Sequence, residues 1–355
     1  MTTVGANFVS TNFLANSLVG PVIQAQSQLS NAMTEMSTGE YADLGLQLGD
    51  QSGYELSLKE QVGRLQTLTT GNSVVSTNLS TAQNALSAIQ KNAQTTLNNL
   101  AAWTPSGTSG ASLQNMGQSG LQSLISGANT TSGNQYVFGG INSAVAPVAD
   151  YYSTPASAAK TAVDQAFQTT FGVLPSGPGA ANISASDMQS FLSGPFAALF
   201  QGASWSADWS SASTVNMSAA IAPGQTVTTS TNANQAGFQQ LAQAYTMLSE
   251  FGGSALSSDA QQAVATTAAS LVSQGVDSMI NIQATLGSSQ SAVTTANNSM
   301  SSQLTILQGQ LGNLDNVNST ATATEISSLT NQIQMAYELT ARLQQLNLAQ
   351  YLPVA

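Results

Sequence analysis

Cysteine and histidine do not occur in this 355-residue chain, and charge of either sign is scarce. Without cysteine there is no disulfide and no thiolate nucleophile. Without histidine the commonest general base is gone, and the two gaps together exclude most zinc sites. A cysteine-free chain suits either redox compartment, and it can cross between them unfolded without being trapped by a crosslink. Asp, Glu, Lys and Arg supply 6% of residues, against roughly a quarter in a typical domain. The five basic residues are Lys59, Arg64, Lys91, Lys160 and Arg342, and the net charge is −11. None of the five lies between Lys160 and Arg342, so no basic patch can neutralise a row of phosphates. That excludes a nucleic-acid partner and removes electrostatic attraction to anionic lipid. No apolar run approaches the ~18 residues that span a bilayer, so no membrane insertion is expected. The opening stretch MTTVGANFVSTNFLANSLVG has no Lys or Arg ahead of a hydrophobic block, unlike a Sec signal peptide.

What is present is alanine and small polar residues. Apolar residues make up 42% of the chain but aromatics only 6%, so solubility must come from Ser, Thr, Asn, Gln and Gly. Low charge also separates this composition from that of highly charged disordered chains.

The two ends of the sequence look alike. Leu18, Val22, Ala25, Leu29, Ala32 and Met36 alternate steps of four and three, the spacing of one helix face. After a Gly-rich break, Leu65, Leu68, Asn72, Val75, Leu79, Ala82, Leu86, Ile89 and Ala93 keep the same alternation, extended by Leu97 and Leu100. A helix over 55–102 would be about 70 Å long at 1.5 Å per residue. A period near 3.5 sustained so long predicts coiled-coil packing, with Asn72 as a polar residue that fixes register. Near the other end, Ser258 with Gln261 reads as a capping box opening a helix that buries Val264, Ala268, Leu271, Met279, Ile282 and Leu286. The stripe resumes at Val293, Met300, Leu304, Leu307, Leu311 and Leu314, then weakens around GNLDNVNSTAT. Thr322 with Glu325 reads as a second capping box. The helix it opens carries Ile326, Leu329, Ile333, Ala336, Leu343 and Leu346 on one face.

The middle differs. Six of the nine prolines fall between Pro147 and Pro223, with two of the three tryptophans. Short helices are expected at 155–171 and 186–201. STVNMSAAIAPGQTVTTST reads as a hairpin, with Val215 and Met217 alternating with polar residues, a turn at Pro223–Gly224, and Val227 in the return strand. Val163, Phe167, Phe171, Phe191, Phe196, Phe200 and Trp205 would supply the core of this part.

The expected fold is mainly α: a long antiparallel coiled-coil or helical-bundle rod built from both chain ends, with a small mixed α/β domain inserted in the middle. The expected divisions are 1–54, an assembly helix and turn; 55–142, a long rod helix and exit turn; 143–236, the insert; 237–320, rod helices; and 321–355, a C-terminal assembly helix. Coiled coils commonly flank the seam with Glu and Lys; here the flanks are uncharged and free to pack against more helices. The stripes at 14–36 and 326–352 lack a further apolar surface of similar length in the chain, and the reading assigns their cover to neighbouring copies.

Candidate chemistry is thin. Lys59, Lys91 and Lys160 are the only lysines a Ser–Lys dyad could use, and two of them sit on long helices as ordinary surface charges. Asp43, Asp50 and Glu55 do not have EF-hand spacing. NQYVFGG at 134–140 lacks the Gly spacing and lysine of a phosphate loop. The sequons at Asn129 and Asn182 are expected by chance in so Asn- and Ser-rich a chain. No catalytic, cofactor or metal site is expected.

Three motifs, in order, carry a family resemblance. MTEMSTGEYADLGLQLGDQSGYELSL at 33–58 resembles the helix–turn–helix junction of the flagellin superfamily, with Ser37, Thr38 and Gly39 as the turn and Asp50 in the polar segment before the long helix. NQYVFGG is similar to the turn leading from rod to outer domain in the hook-filament junction (FlgL-type, hook-associated) members, through Tyr136, Phe138, Gly139 and Gly140. The terminal LNLAQYL resembles their closing leucine-rich heptapeptide and adds Leu348 and Leu352 to the assembly surface. The resemblance spans about 10–140 and 235–352. Filament flagellins carry a longer Arg- and Asp-rich stretch after the Ser-Ser-Gly turn, which EYADLGLQLGD does not reproduce.

The resemblance implies a secreted structural protein of the bacterial flagellum, exported unfolded through the type III channel, with an export chaperone. Its terminal helices would self-associate into a ring, meeting a hook-associated junction protein on the hook side and flagellin on the filament side. The implied assembly interface comprises Leu18, Val22, Leu29, Met36, Ile326, Leu329, Ile333, Ala336, Leu343, Leu346, Leu348 and Leu352. A filament flagellin is one alternative. A secreted helical adhesin or effector, using an exposed aromatic patch within 191–209, is another.

Overall fold

The computed structural model describes residues 11–105, 109–253 and 255–349; the side chains of 11–16, 18, 109 and 343–349 lie outside that description. The chain is mainly helical, with long helices from both ends and a small strand-containing insert between them. It divides into two compact units: residues 65–301, and the two ends up to 64 and from 302.

Two long helices, α3 (Ser52–Ala102) and α10 (Ser258–Asp315), supply the framework of the first unit. On α3, Leu65, Asn72, Leu79, Leu86, Ala93 and Leu100 are all buried, one every seven residues. Ala265, Val272, Met279, Leu286, Val293 and Met300 repeat the spacing on α10. A strict seven-residue repeat keeps one face of each helix on a shared seam. The helices run antiparallel there: Asn72 Nδ2 donates to Asn297 Oδ1 at 2.7 Å and Gln83 Nε2 to the Gln283 carbonyl at 2.7 Å. Burying each leucine contributes about 1.5–3 kcal/mol before entropy is counted.

Two shorter helices, α4 (Ser109–Ala128) and α9 (Ala236–Phe251), pack against each other in the same unit. Glycine permits their close approach. A Cβ on Gly117 would lie 2.2 Å from the Ser249 nitrogen, and one on Gly120 2.4 Å from the Tyr245 ring.

Between α4 and α9 lies the insert. It opens with a tight hairpin of β1 (Thr131–Ser132) and β2 (Gln135–Tyr136), whose loop residues Gly133 and Asn134 both have positive φ. Helix α5 (Ala158–Phe171) starts at Ser157, whose hydroxyl accepts from Lys160 N at 3.1 Å, and α6 (Ala185–Ser193) starts at Ser184 in the same way. The helix expected over 186–201 is broken at Gly194–Pro195, so that α7 (Pro195–Ala198) follows as a separate turn. A short turn α8 (Gly202–Ser204) runs into a π-helical turn, Trp205–Trp209. Strands β3 (Ser218–Ala222) and β4 (Gln225–Thr228) pair antiparallel across Pro223–Gly224, where Gly224 has φ +75°. The hairpin begins later than its sequence pattern suggested: Val215 is exposed, outside the strand, and its carbonyl accepts from Ile141 N.

The insert's core is aromatic. Phe167, Phe191, Phe196, Phe200 and Trp205 are buried, with Phe171 half-buried at its edge. Trp209 and Tyr151, which the sequence pattern did not single out, complete it: Trp209 stacks on Trp205 at 5.7 Å and on Tyr151 at 5.3 Å. Phe251 of α9 stacks on Phe167 at 5.1 Å and ties this core to the helices of the same unit.

In the unit built from the ends, α1 (Thr11–Thr38) pairs with α11 (Ser319–Ala349). Short α2 (Leu44–Leu48) and a 3-10 turn, Gly49–Gln51, lead into α3. The two connecting segments are laced together. Tyr41 N donates to the Asp315 carbonyl at 3.0 Å, Val317 N to the Gly39 carbonyl at 2.9 Å, and Glu40 forms an antiparallel bridge with Asn316. Two helix starts differ from the capping boxes read from the sequence. Ser257, not Ser258, caps α10 by accepting from Ala260 N, while Gln261 donates to the Gly253 and Leu256 carbonyls. Asn318 caps α11 by accepting from Thr320 N and Ala321 N, which leaves Thr322 buried inside the helix. In both cases a side chain nearer the preceding turn reaches the free amides first.

Candidate functional site

The apolar stripes of the two chain ends meet each other. Leu329 and Ile333 on α11 are buried, as is Ala32 on α1, and Val22, Leu29, Ile326 and Ala336 are half-buried. Gln26 Nε2 donates to Tyr337 Oη at 2.7 Å beside this seam. Much of the cover that the sequence reading assigned to neighbouring copies is thus supplied within one chain. Met36, at the end of the α1 stripe, is exposed. Leu18, Leu343, Leu346 and Leu348 lie on these helices with side chains outside the description, and Leu352 lies outside the described residues.

Pairing leaves a second apolar set uncovered. Val19, Ile23 and Met33 on α1 and Met335 and Leu339 on α11 are all exposed. Val19 with Ile23 and Met335 with Leu339 are spaced i, i+4, so each couple forms a short ridge on its helix. This i, i+4 spacing is present in the sequence, beside the longer stripe that periodicity favours.

The junction turn forms around Gly39, whose φ of +77° ends α1 while its amide donates to the Glu35 carbonyl at 2.8 Å. Ser37 and Thr38 belong to the last turn of α1, and Thr38 Oγ1 donates to the Thr34 carbonyl. The capping carboxylate of the connector is Asp43, which accepts from Leu46 N at 2.9 Å; Asp50 lies exposed in the 3-10 turn. At the start of α3, Lys59 pairs with Glu55 and reaches Asp315 Oδ2 at 3.3 Å. The Glu55 hydrogen bond, with Asp315 beyond it, outweighs burial and holds the Lys59 pKa above the usual lysine value.

The exit turn is built more tightly. Phe138 is fully buried against Phe238, 5.2 Å between ring centres, and Tyr136 is half-buried. Gly139 and Gly140 leave no room for a side chain: a Cβ would lie 2.6 Å from the Asn142 carbonyl oxygen at the first and 2.6 Å from the Val215 oxygen at the second, where φ is +62°. Their backbones pair across the insert, with Ser213 N donating to the Gly139 carbonyl and Ala233 N to the Phe138 carbonyl.

The ionisable groups of the insert hold it together. Lys160 Nζ lies 2.8 Å from Asp164 Oδ1 and 2.9 Å from Glu250 Oε2, and the Tyr151 hydroxyl donates to Glu250 Oε1 at 3.1 Å. Burial lowers the Lys160 pKa, but the bonds to Asp164 and Glu250 outweigh it and leave the net value raised, so the amine stays a cation and not a nucleophile. A groove of about 540 Å³ beside α3 and α4 is lined by Asn, Thr, Ser, Met and Gly, with no ionisable group. Among the described residues no three carboxylates gather where a metal could sit, and no helix is long and apolar enough to cross a membrane. The aromatic stretch 191–209, which an adhesin would have to expose, has its large aromatics buried in the insert's core.

What this arrangement can do is associate. It is a helical protein with paired terminal helices and an uncovered apolar ridge on each. Residues 9–143 match the family model described as bacterial flagellin N-terminal helical region, and residues 269–352 match that of the bacterial flagellin C-terminal helical region. No curated protein matches the chain. The chain belongs to the flagellin superfamily. It is a structural, non-enzymatic component of the extracellular bacterial flagellum, self-associating in a flagellar polymer through its terminal helices.

Proposed function

We propose that this chain is the axial adaptor at the hook-filament junction. Subunits associate into a ring that meets a hook-associated protein on one side and flagellin on the other, after export as an unfolded chain through the flagellar type III channel with the help of a chaperone. The observation that carries this reading is the exit turn, where NQYVFGG forms a side-chain-free double-glycine corner seating residues 213–215 of the insert. The short connector after Gly39, without the Arg- and Asp-rich stretch of filament flagellins, supports it further. In this reading the terminal helices carry assembly and the insert faces outward, and the absence of cysteine suits passage through the export channel.

Copy number tests the proposal. Quantifying this chain against flagellin in sheared filaments should give a few copies per filament, and a deletion strain should keep intact hooks while shedding filament protein into the medium. Thousands of copies per filament would make it a filament flagellin instead.

A further inference from the structure

Glycine inside a helix is unfavourable relative to alanine because it loses more backbone freedom on folding, so each one asks for a steric reason. Within residues 65–301 the reason is often visible. A Cβ on Gly117, Gly120, Gly127 or Gly275 would lie 2.2, 2.4, 2.7 or 2.7 Å from an atom of a neighbouring helix. Gly20 on α1, Gly53, Gly63 and Gly71 on α3 and Gly309 on α10 differ: among the described residues nothing lies within 4 Å of where their Cβ would be.

Gly20, Gly71 and Gly309 each have an exposed β-branched residue three positions away; Gly53 has the exposed Leu56, and Gly63, between Glu60 and Gln66, has no such companion. Ile23 is 60% exposed, Val74 60% and Ile306 61%. Residues three apart share a helix face, so each site is a projecting side chain beside a notch one turn away. The packed glycines lack this companion: their aliphatic neighbours at the same spacing, Leu124 and Val272, are buried.

We propose that the pairs Gly20–Ile23, Gly71–Val74 and Ile306–Gly309 are contact points for a second copy of this chain, with the projecting side chain of one copy seated in a notch of the next. The inference rests on the self-association of the family and names where copies touch. The family match argues for this occupant, since flagellin-type helices self-associate. A net charge of −11 opposes the approach of like copies, and two of the five cations are held in ion pairs within the chain, so salt bridges between copies are few and close uncharged packing has to supply the contact. The chain uses the same device internally, where Gly117 and Gly120 bring α4 against α9.

Alanine substitution separates this role from a structural one. In the full-length chain, Gly71→Ala and Gly309→Ala should leave the melting temperature of the monomer unchanged or raise it by about 1–3 °C, since alanine favours the helix and meets nothing inside the chain. Sedimentation should show self-association weakened about tenfold or more, as expected when a close contact is overpacked. Val74→Ala and Ile306→Ala should weaken it as well. A drop in melting temperature for the glycine variants would locate the reason for glycine inside the chain and overturn the proposal, as would association equal to wild type. Normal self-association with loss of addition to flagellin filament ends would assign the notch to a different protein and equally overturn it. A wild-type chain that never self-associates would remove the polymer reading itself, a failure visible before any variant is compared.

Discussion

Asn72 and Asn297 face each other across the antiparallel α3–α10 seam, 2.7 Å from Nδ2 to Oδ1. The same amide nitrogen donates to the Ile221 carbonyl, also at 2.7 Å, so one side chain fixes the register of two long helices and seats the β3–β4 hairpin on them. Asn72 is 1% exposed. Asn72→Ala removes both donors, leaves the Ile221 carbonyl without this partner, and should cost about 1–3 kcal/mol. Thermal and urea melts of the full chain measure it; a change under 0.5 kcal/mol, on the order of a surface substitution, would show that register is set by the leucine repeat alone.

Alkaline pH should unfold the 65–301 unit earlier than carboxylate chemistry would suggest. Burial, reinforced by Glu250, pushes the Tyr151 phenol far above the ordinary 10.0, and burial pushes Tyr245 up to about 12. Tyr152 moves the same way, chiefly by burial, and Lys160 is held above 10.5 by its two carboxylates in spite of burial. For each group the folded value exceeds the unfolded one, so the unfolded chain gives up its proton first as pH rises. The stability linked to these groups is whole below about pH 10 and is lost progressively above it. Melts between pH 8 and 11.5 should fall steeply past pH 10, and Tyr151→Phe should flatten the decline.

Ile333→Asp places a carboxylate on the α1–α11 seam, where Ile333 and Leu329 are buried. The loss should be about 2–4 kcal/mol of pairing energy. Because residues 65–301 have their own core, calorimetry should show one transition shifted or lost and the larger one unchanged. A single cooperative transition that shifts as a whole would contradict the independence of the two units.

Much of this fold could be read from the sequence, for a physical reason. A seven-residue repeat is a local property, and Leu79, Leu86 and Ala93 state their burial by spacing alone. The hairpin at Pro223–Gly224 and the helix end at Gly39 were legible because those backbone conformations favour few residues, whereas the turn at Gly140 was legible only through the resemblance of NQYVFGG to a family motif. The caps were misread by one and four residues, since Ser257 and Ser258, or Asn318 and Thr322, offer similar side chains and only the turn geometry decides between them. Trp209 and Tyr151 escaped notice because a core assembled from loops and a π turn has no period. The apolar faces of the terminal helices were half legible. Periodicity finds the strongest stripe on α11, but it cannot say whether Ile333 meets α1 of its own chain or of another. The uncovered ridges at Ile23 and Leu339 emerge only once that stripe is seen to be occupied.

Methionine oxidation gives the most direct test that these ridges are where copies of the chain meet. Met33, Met36 and Met335 are exposed, whereas Met188, Met247, Met279 and Met300 are buried. Brief peroxide treatment followed by mass spectrometry, on dilute chain and on the assembled polymer, should oxidise the first three in the dilute chain and spare them in the polymer, with the other four spared in both. Equal oxidation of Met33, Met36 and Met335 in the two states would contradict assembly through the terminal helices.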